Sequence, residues 1–183
     1  MDAWVWFVIL AVVVVAIVLY LGARKKRSEA LQDRFGPEYD RTVKEAGARR
    51  GGESELAART KRRDELDIKP LSDEARERYS SAWRETQERF VDAPTDAVTE
   101  ADRLVQEVMQ ERGYPVDNFD QRSSDVSVDH PNVVEDYRAA HGISLANQHG
   151  EASTEDLRQA MVHYRQLFDE LLETRERPAR EVS

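Results

Sequence analysis

An uncharged, strongly apolar run extends from Ala3 to Ala23 near the start of the chain. At ~1.5 Å per residue, a helix of this length spans the ~30 Å hydrocarbon layer of a bilayer. Trp4 and Trp6 lie near one end of the run and Tyr20 near the other, where aromatic rings favour the two headgroup interfaces. The pattern predicts one transmembrane helix, and residues 1–27 form the predicted anchor with its basic flank.

The charges around this run predict its orientation. Four cations follow it directly: Arg24, Lys25, Lys26 and Arg27. Basic flanks are retained in the cytoplasm, so we expect a single-pass protein of the cell membrane with its N-terminus outside and its C-terminal domain cytoplasmic. The alternative, a cleaved signal peptide, requires a positive region before the apolar run, where only Met1 and Asp2 stand. The four cations also predict contact with anionic lipid headgroups.

The composition of residues 28–71 predicts a charged helical stalk and linker, because this segment has few apolar side chains and they form a thin stripe on one helix face. The stripe repeats every four residues at Leu31, Phe35, Tyr39 and Val43. Gly36-Pro37 predicts a first break in the helix, and Gly47 with Gly51-Gly52 a second. The basic cluster Arg59–Arg63 is followed at once by acidic residues, which favours a solvated helix face over nucleic-acid contact.

Residues 72–173 carry four amphipathic patterns that predict a small helical bundle. Ser72 and Ser153 are candidate N-caps, and Gly113 is a candidate left-handed residue just after a helix. We expect a loop over residues 116–128 with at most one helical turn, and a helix that begins near Pro131. The last helix has the strongest apolar stripe, so it should anchor the core.

The predicted fold is therefore all-α: one transmembrane helix, a broken helical stalk and a helical bundle with no competing strand pattern. Residues 174–183 lack a stripe and predict a disordered tail. The predicted core-packing residues are Trp83, Leu104, Tyr137, Tyr164 and Phe168.

Composition narrows the range of functions. The formal net charge of −9 disfavours a general nucleic-acid binder, so no nucleic-acid partner is expected. The chain has no cysteine, which excludes disulfides, thiolate nucleophiles and cysteine-ligated metals. This composition also fits a cytoplasmic domain.

No catalytic, cofactor or metal motif stands out among the polar residues. His141 and His163 with a carboxylate could form a metal site. However, neither belongs to a His-Glu-x-x-His or a Glu-x-x-His motif, and helix-packing or surface roles explain these histidines better. Asp129 and His130 could serve a hydrolase with a distant serine, but no Gly-x-Ser-x-Gly elbow or phosphate-binding glycine loop is present. We therefore assign no catalytic residue, cofactor or metal, and we expect a protein that is not an enzyme.

Several short strings resemble an uncharacterised family of bacterial proteins. They are Arg34-Phe-Gly-Pro-Glu-Tyr-Asp-Arg41, Arg112-Gly-Tyr-Pro-Val116, Val126-Ser-Val-Asp-His-Pro131 and Tyr137-Arg-Ala-Ala-His141. The resemblance implies an N-terminal membrane anchor and a charged helical domain over about residues 29–173. It implies no activity.

Two functional hypotheses follow. The first is a membrane-tethered, non-enzymatic interaction or scaffold module that binds a protein partner or a second copy of itself. The alternative is a small-ligand-binding or hydrolytic domain that uses the segment Tyr114–His141, with Asp125, Asp129, His130 and His141 converging on a pocket.

Overall fold

The computed structural model describes residues 3–173, and all of its regular secondary structure in that range is helical. The predicted all-α class is confirmed over this range, whereas the predicted disordered tail lies outside it. The helices are α1 (Ala3–Phe35), α2 (Pro37–Glu45), α3 (Arg49–Asp64), α4 (Asp73–Arg89), α5 (Pro94–Arg112), α6 (Phe119–Asp129), α7 (Val134–Gln148) and α8 (Thr154–Glu173). The chain divides into two compact units, Met1–Ala57 and Ala58–Ser183, with the division inside α3.

The predicted transmembrane segment, residues 3–23, lies within α1, which continues without interruption to Phe35. The side chains of Trp6 and of residues 3, 5 and 7–9 lie outside the described residues. In the part of the chain that the structure describes, no helix is both long enough and apolar enough to cross a membrane. This finding does not support the predicted transmembrane helix, and the membrane anchor is only a prediction.

The first unit contains a small core of its own where a thin-striped stalk was predicted. The break at Gly36 is confirmed, because α1 ends there and Pro37 begins α2. Gly47, with φ of 66°, ends the turn after α2. The predicted break at Gly51-Gly52 is wrong, since both glycines lie inside α3. The side chains that form this core are Leu31, Phe35, Tyr39 and Leu56.

Gly52 is required by helix packing and not by a turn. A Cβ atom added there would lie 2.7 Å from the Cα of Val43, so α2 and α3 approach each other too closely for any other residue. In a sequence, a glycine pair predicts the end of a helix. Here both glycines lie inside α3, because the close contact with α2 at Gly52 leaves no room for a side chain.

The second unit is a helical bundle with α8 at its centre. This helix packs most extensively against α7 and α5, while α4 covers α5 and α6 covers α7. Every buried side chain of α8 belongs to its predicted stripe: Leu157, Ala160, Met161, Tyr164, Leu167, Phe168, Leu171 and Leu172. The expectation that this helix anchors the core is confirmed.

Local capping fixes several helix ends as predicted. The Ser72 hydroxyl accepts a hydrogen bond from the Ala75 amide at 3.1 Å. The Ser153 hydroxyl accepts from the Asp156 amide at 3.2 Å, while the Asp156 carboxylate accepts from the Ser153 amide at 2.9 Å. Gly113, with φ of 101°, follows α5 in the left-handed region. These pairings satisfy amides and carbonyls that helix ends otherwise leave without partners.

The prediction failed between residues 116 and 133. The expected loop is mostly α6, capped by the Asn118 side chain, which accepts from the Gln121 amide at 3.1 Å. The next helix, α7, begins at Val134 and not near Pro131, because residues 131–133 form a turn after α6. Residues 72–173 thus contain five helices, α4 to α8, one more than the sequence predicted. The apolar spacing of α6 carried no helical signal, because four of its six buried residues are polar: Arg122, Ser123, Asp125 and Ser127.

Trp83 and Phe168 form a stacked pair in the bundle core, with ring centroids 4.6 Å apart and planes inclined by 20°. Trp83→Ala should lower the free energy of unfolding by ~3–5 kcal/mol, because it leaves a cavity beside α8. Trp83→Phe is the matched control and should cost less than ~1.5 kcal/mol, since it keeps an aromatic ring against Phe168. Urea titration of the full chain measures both values. Equal losses for the two variants would contradict a packing role for the stack.

Candidate functional site

An open groove of about 350 Å³ lies between α1 and α3 in the first unit. Arg24 and Arg27 line it from α1, and Arg50 and Ser54 line it from α3. Tyr20, one turn before the basic residues on α1, forms its edge. Residues three or four apart lie on one face of a helix. Arg24 and Arg27 therefore share a face of α1, Arg50 and Ser54 share a face of α3, and both faces line the groove.

Glu53 also lines this groove, and it joins all three helices of the first unit. Its carboxylate accepts hydrogen bonds from the Ser28 hydroxyl on α1 at 2.5 Å and from the Tyr39 hydroxyl on α2 at 2.9 Å. Arg49, on the same helix as Glu53, donates to it at 2.8 Å. The hydrogen bond from Ser28, which has the largest effect, and the hydrogen bond from Arg49 lower the pKa of Glu53 from 4.5 to about 2. The charge of Glu53 is thus already balanced within the unit.

The basic cluster Arg59–Arg63 is partly solvated, as predicted, since Lys61 and Arg62 are exposed, but two of its arginines also pair with carboxylates of the fold. Arg62 pairs with the fully buried Asp125 at 3.1 Å, and Arg63 pairs with Asp129 at 2.6 Å. Both carboxylates belong to α6, so the last turns of α3 are joined to α6 by charge. These contacts explain how α6 can be buried although most of its buried side chains are polar, since a buried carboxylate needs a cation or hydrogen-bond donors beside it.

The four residues of the hydrolytic or ligand-binding alternative are each held by different neighbours. Asp125 is bound by Arg62, and Asp129 also accepts from the Tyr114 hydroxyl at 2.7 Å. His130 faces Glu170 at 3.3 Å, and burial, followed by the charge of Arg112, lowers the pKa of its imidazole. His141 stacks on Phe119 with ring centroids 3.7 Å apart. The structure gives each of them a packing or pairing role.

Around His141 a compact aromatic cluster encloses a cation. The Arg122 guanidinium lies 5.7 Å from the ring centre of Phe119 and 5.8 Å from that of Tyr137. Arg122 also donates to the carbonyl of Val116 at 2.8 Å. Within the described residues, Arg122 Nε, Tyr137 Oη and His141 Nδ1 have no hydrogen-bond partner. Burial raises the pKa of Tyr137 and lowers that of His141, so both are neutral at pH 7.

The histidines considered as metal ligands are separated in their contacts. His163 lies 2.7 Å from Asp136, whereas His141 stacks on Phe119. Across residues 3–173, no group of three or more histidine, aspartate or glutamate side chains is arranged to hold a metal ion.

The remaining predicted residues fall into two classes. Trp4 and Tyr20 are exposed on α1, as are Arg24, Lys25, Lys26 and Arg27. The core set is buried in the second unit: Trp83, Leu104, Tyr137, Tyr164 and Phe168. The sequence predicted the cations of α1 but missed Arg50 and Ser54, which are distant along the chain. Their helical spacing on α3 was visible, but the glycine pair beside them indicated a break.

Searches against protein-family models, curated proteins and solved structures found no match to this chain. The resemblance to an uncharacterised bacterial family therefore stays a prediction, and the function has to be argued from the residues.

The lowered pKa of Glu53 makes the first unit sensitive to acid. Its carboxylate is charged in both folded and unfolded chains above about pH 4.5, where the stabilisation is fully present. As pH falls from 4.5 toward 2, the unfolded chain takes up the proton first, and about 1–2 kcal/mol should be lost after allowance for solvent screening. Glu53→Gln should be destabilised at pH 7 and nearly independent of pH in this window.

Hydrogen exchange of peptides from α2 and α3, corrected for intrinsic rates, measures this loss in the full chain. Peptides from α8 serve as the internal control, because Glu53 contacts only the first unit. The same pH dependence in wild type and Glu53→Gln would show that another group titrates.

Proposed function

We propose that this protein is a membrane-tethered, non-enzymatic helical module, in which α1 is the anchor and the bundle binds a protein partner. One observation carries the proposal. Large apolar side chains are exposed along one continuous stretch of α1: Leu10, Val12, Val13, Val14, Val15, Ile17, Val18, Leu19, Tyr20 and Leu21. An apolar surface of this extent on all sides of a helical segment requires cover, and hydrocarbon is the cover that suits a segment without charge.

The continuity of α1 supports tethering. At ~1.5 Å per residue the helix is about 50 Å long, which exceeds the ~30 Å hydrocarbon layer. The exposed apolar stretch and the buried residues Leu31 and Phe35 therefore belong to one helix. In this proposal the folded first unit is attached directly at the membrane surface, without a flexible linker.

The surface of the second unit supports a binding role for it. Its apolar stripes are buried within the bundle, and its exposed faces carry interleaved charges such as Arg158 with Glu155 and Arg165 with Asp169. Single apolar side chains are exposed at Val91, Leu145 and Val162. Charged faces with isolated apolar side chains suit a reversible protein contact better than an obligate one.

The anchor and its orientation can be tested with single cysteines, because the chain has none of its own. Val91→Cys is suited to this test, since Val91 is 83% exposed in the turn after α4. A membrane-impermeant thiol reagent should label Asp2→Cys in intact cells, and Val91→Cys only after permeabilisation. Both variants should remain in the pellet after alkaline carbonate extraction. Release by carbonate, or labelling of Val91→Cys in intact cells, would contradict the proposal.

The partner can be sought by proximity labelling in living cells, with the labelling enzyme fused after Ser183. A matched control carries the same enzyme directly after Arg27, so that it is held at the same membrane without the helical domain. We expect a defined set of cytoplasmic or inner-membrane proteins enriched only by the full chain. Identical sets from the two fusions would contradict an interaction role. Labelling of this chain and of no other protein would contradict it as well.

A further inference from the structure

The groove between α1 and α3 has a concentrated positive charge. Among the residues that the structure describes, Arg24, Arg27 and Arg50 form no ion pair or hydrogen bond. Other charges nearby are paired. Lys25 pairs with Glu29 at 3.7 Å, and the Glu53 carboxylate, which also lines the groove, pairs with Arg49. Three unpaired guanidinium groups around one groove repel each other, and a bound anion would remove this repulsion.

The chemistry of the lining favours a phosphate over a carboxylate or a simple halide. Arginine presents a planar set of donors that matches phosphate oxygens in pairs, and three arginines supply donors from two sides. The Ser54 hydroxyl lines the same groove and adds a neutral donor for an ester or headgroup oxygen. A volume of about 350 Å³ falls within the roughly 300–1,000 Å³ typical of small-ligand sites.

The position of the groove along α1 indicates where that phosphate comes from. Tyr20 lines the groove, and the exposed apolar stretch of α1 ends at Leu21. If α1 crosses the bilayer as proposed above, the groove lies at the depth of the headgroups, where tyrosine rings and lipid phosphates both concentrate. The inference rests on the proposed anchoring for this step alone.

We propose that the groove between α1 and α3 binds the phosphate group of an anionic glycerophospholipid, held by Arg24, Arg27 and Arg50. Arg50 distinguishes this site from a general attraction between a basic flank and a membrane. It belongs to α3, outside the run that follows the apolar segment, and reaches the site only through the fold. A bound lipid would also join α1 to α3, adding to the hydrogen bond that Glu53 already accepts from Ser28 of α1.

The test is native mass spectrometry of the full chain in neutral detergent, titrated with phosphatidylglycerol or phosphatidylcholine. Wild-type protein should retain one phosphatidylglycerol in preference to phosphatidylcholine. Arg50→Gln should weaken this binding about fivefold, the loss expected for one cation beside a lipid phosphate. Arg24→Gln and Arg27→Gln should act in the same direction. All three side chains are exposed, so these variants should keep the wild-type circular dichroism.

Lys26→Gln is the matched control, because Lys26 is an exposed cation of the same basic run that does not line the groove. It removes the same charge and should change the affinity by less than about twofold. Equal losses for Lys26→Gln and Arg50→Gln would overturn the site and leave only diffuse attraction. No loss for Arg50→Gln would overturn it as well.

Soluble glycerol phosphate distinguishes the two sources of the phosphate group. If it displaces the lipid at equal concentration, the groove binds a free phosphate ester and the lipid assignment is overturned. Weak competition supports the lipid, whose acyl chains add contact with α1. Because binding is measured in detergent, failure of the site remains distinguishable from failure of anchoring, which carbonate extraction tests independently.

Discussion

The fold of the second unit depends on burial of the α8 stripe. All of the buried side chains of α8 are apolar or aromatic, and one helix cannot cover them alone. The helices α5 and α7 supply that cover, and the Trp83–Phe168 stack adds α4 to the same core. Hydrophobic burial of this kind is the main favourable term in folding, and it fixes which helix faces inward.

Ion pairs and hydrogen bonds of arginine side chains hold the parts of the second unit whose buried faces are polar. The buried face of α6 is mostly polar, and the helix is held by arginines on α3 that pair with Asp125 and Asp129. Arg112 has a similar role at the end of α5, where it donates to the Leu171 carbonyl of α8 at 2.9 Å. Buried polar groups of this kind are tolerated because each has a charged or hydrogen-bonded partner. Some arginines of this chain therefore stabilise the fold by pairing with buried polar groups, while others are surface charges.

The first unit is organised on the same principle at a smaller scale. Its short apolar stripe buries few side chains, and the Glu53 carboxylate supplies the additional links among α1, α2 and α3. In the part of the chain that the structure describes, that arrangement leaves Arg24, Arg27 and Arg50 without an ion pair around a groove at the end of the exposed apolar stretch. Arg24, Arg27 and the uncovered apolar stretch lie on α1, and Arg50 lines the same groove from α3, which is why tethering and phosphate binding are proposed together.

The sequence by itself determined the helices whose signals are local. The stripes of α5 and α8, the caps at Ser72 and Ser153, and the left-handed Gly113 depend on spacing within a few residues, so they can be read without the fold. Only the tertiary structure decided that α6 is a helix, that Gly52 lies within α3, and that Arg50 joins Arg24 and Arg27 around one groove. Each of these depends on partners distant along the chain, and a local pattern contains no information about such partners.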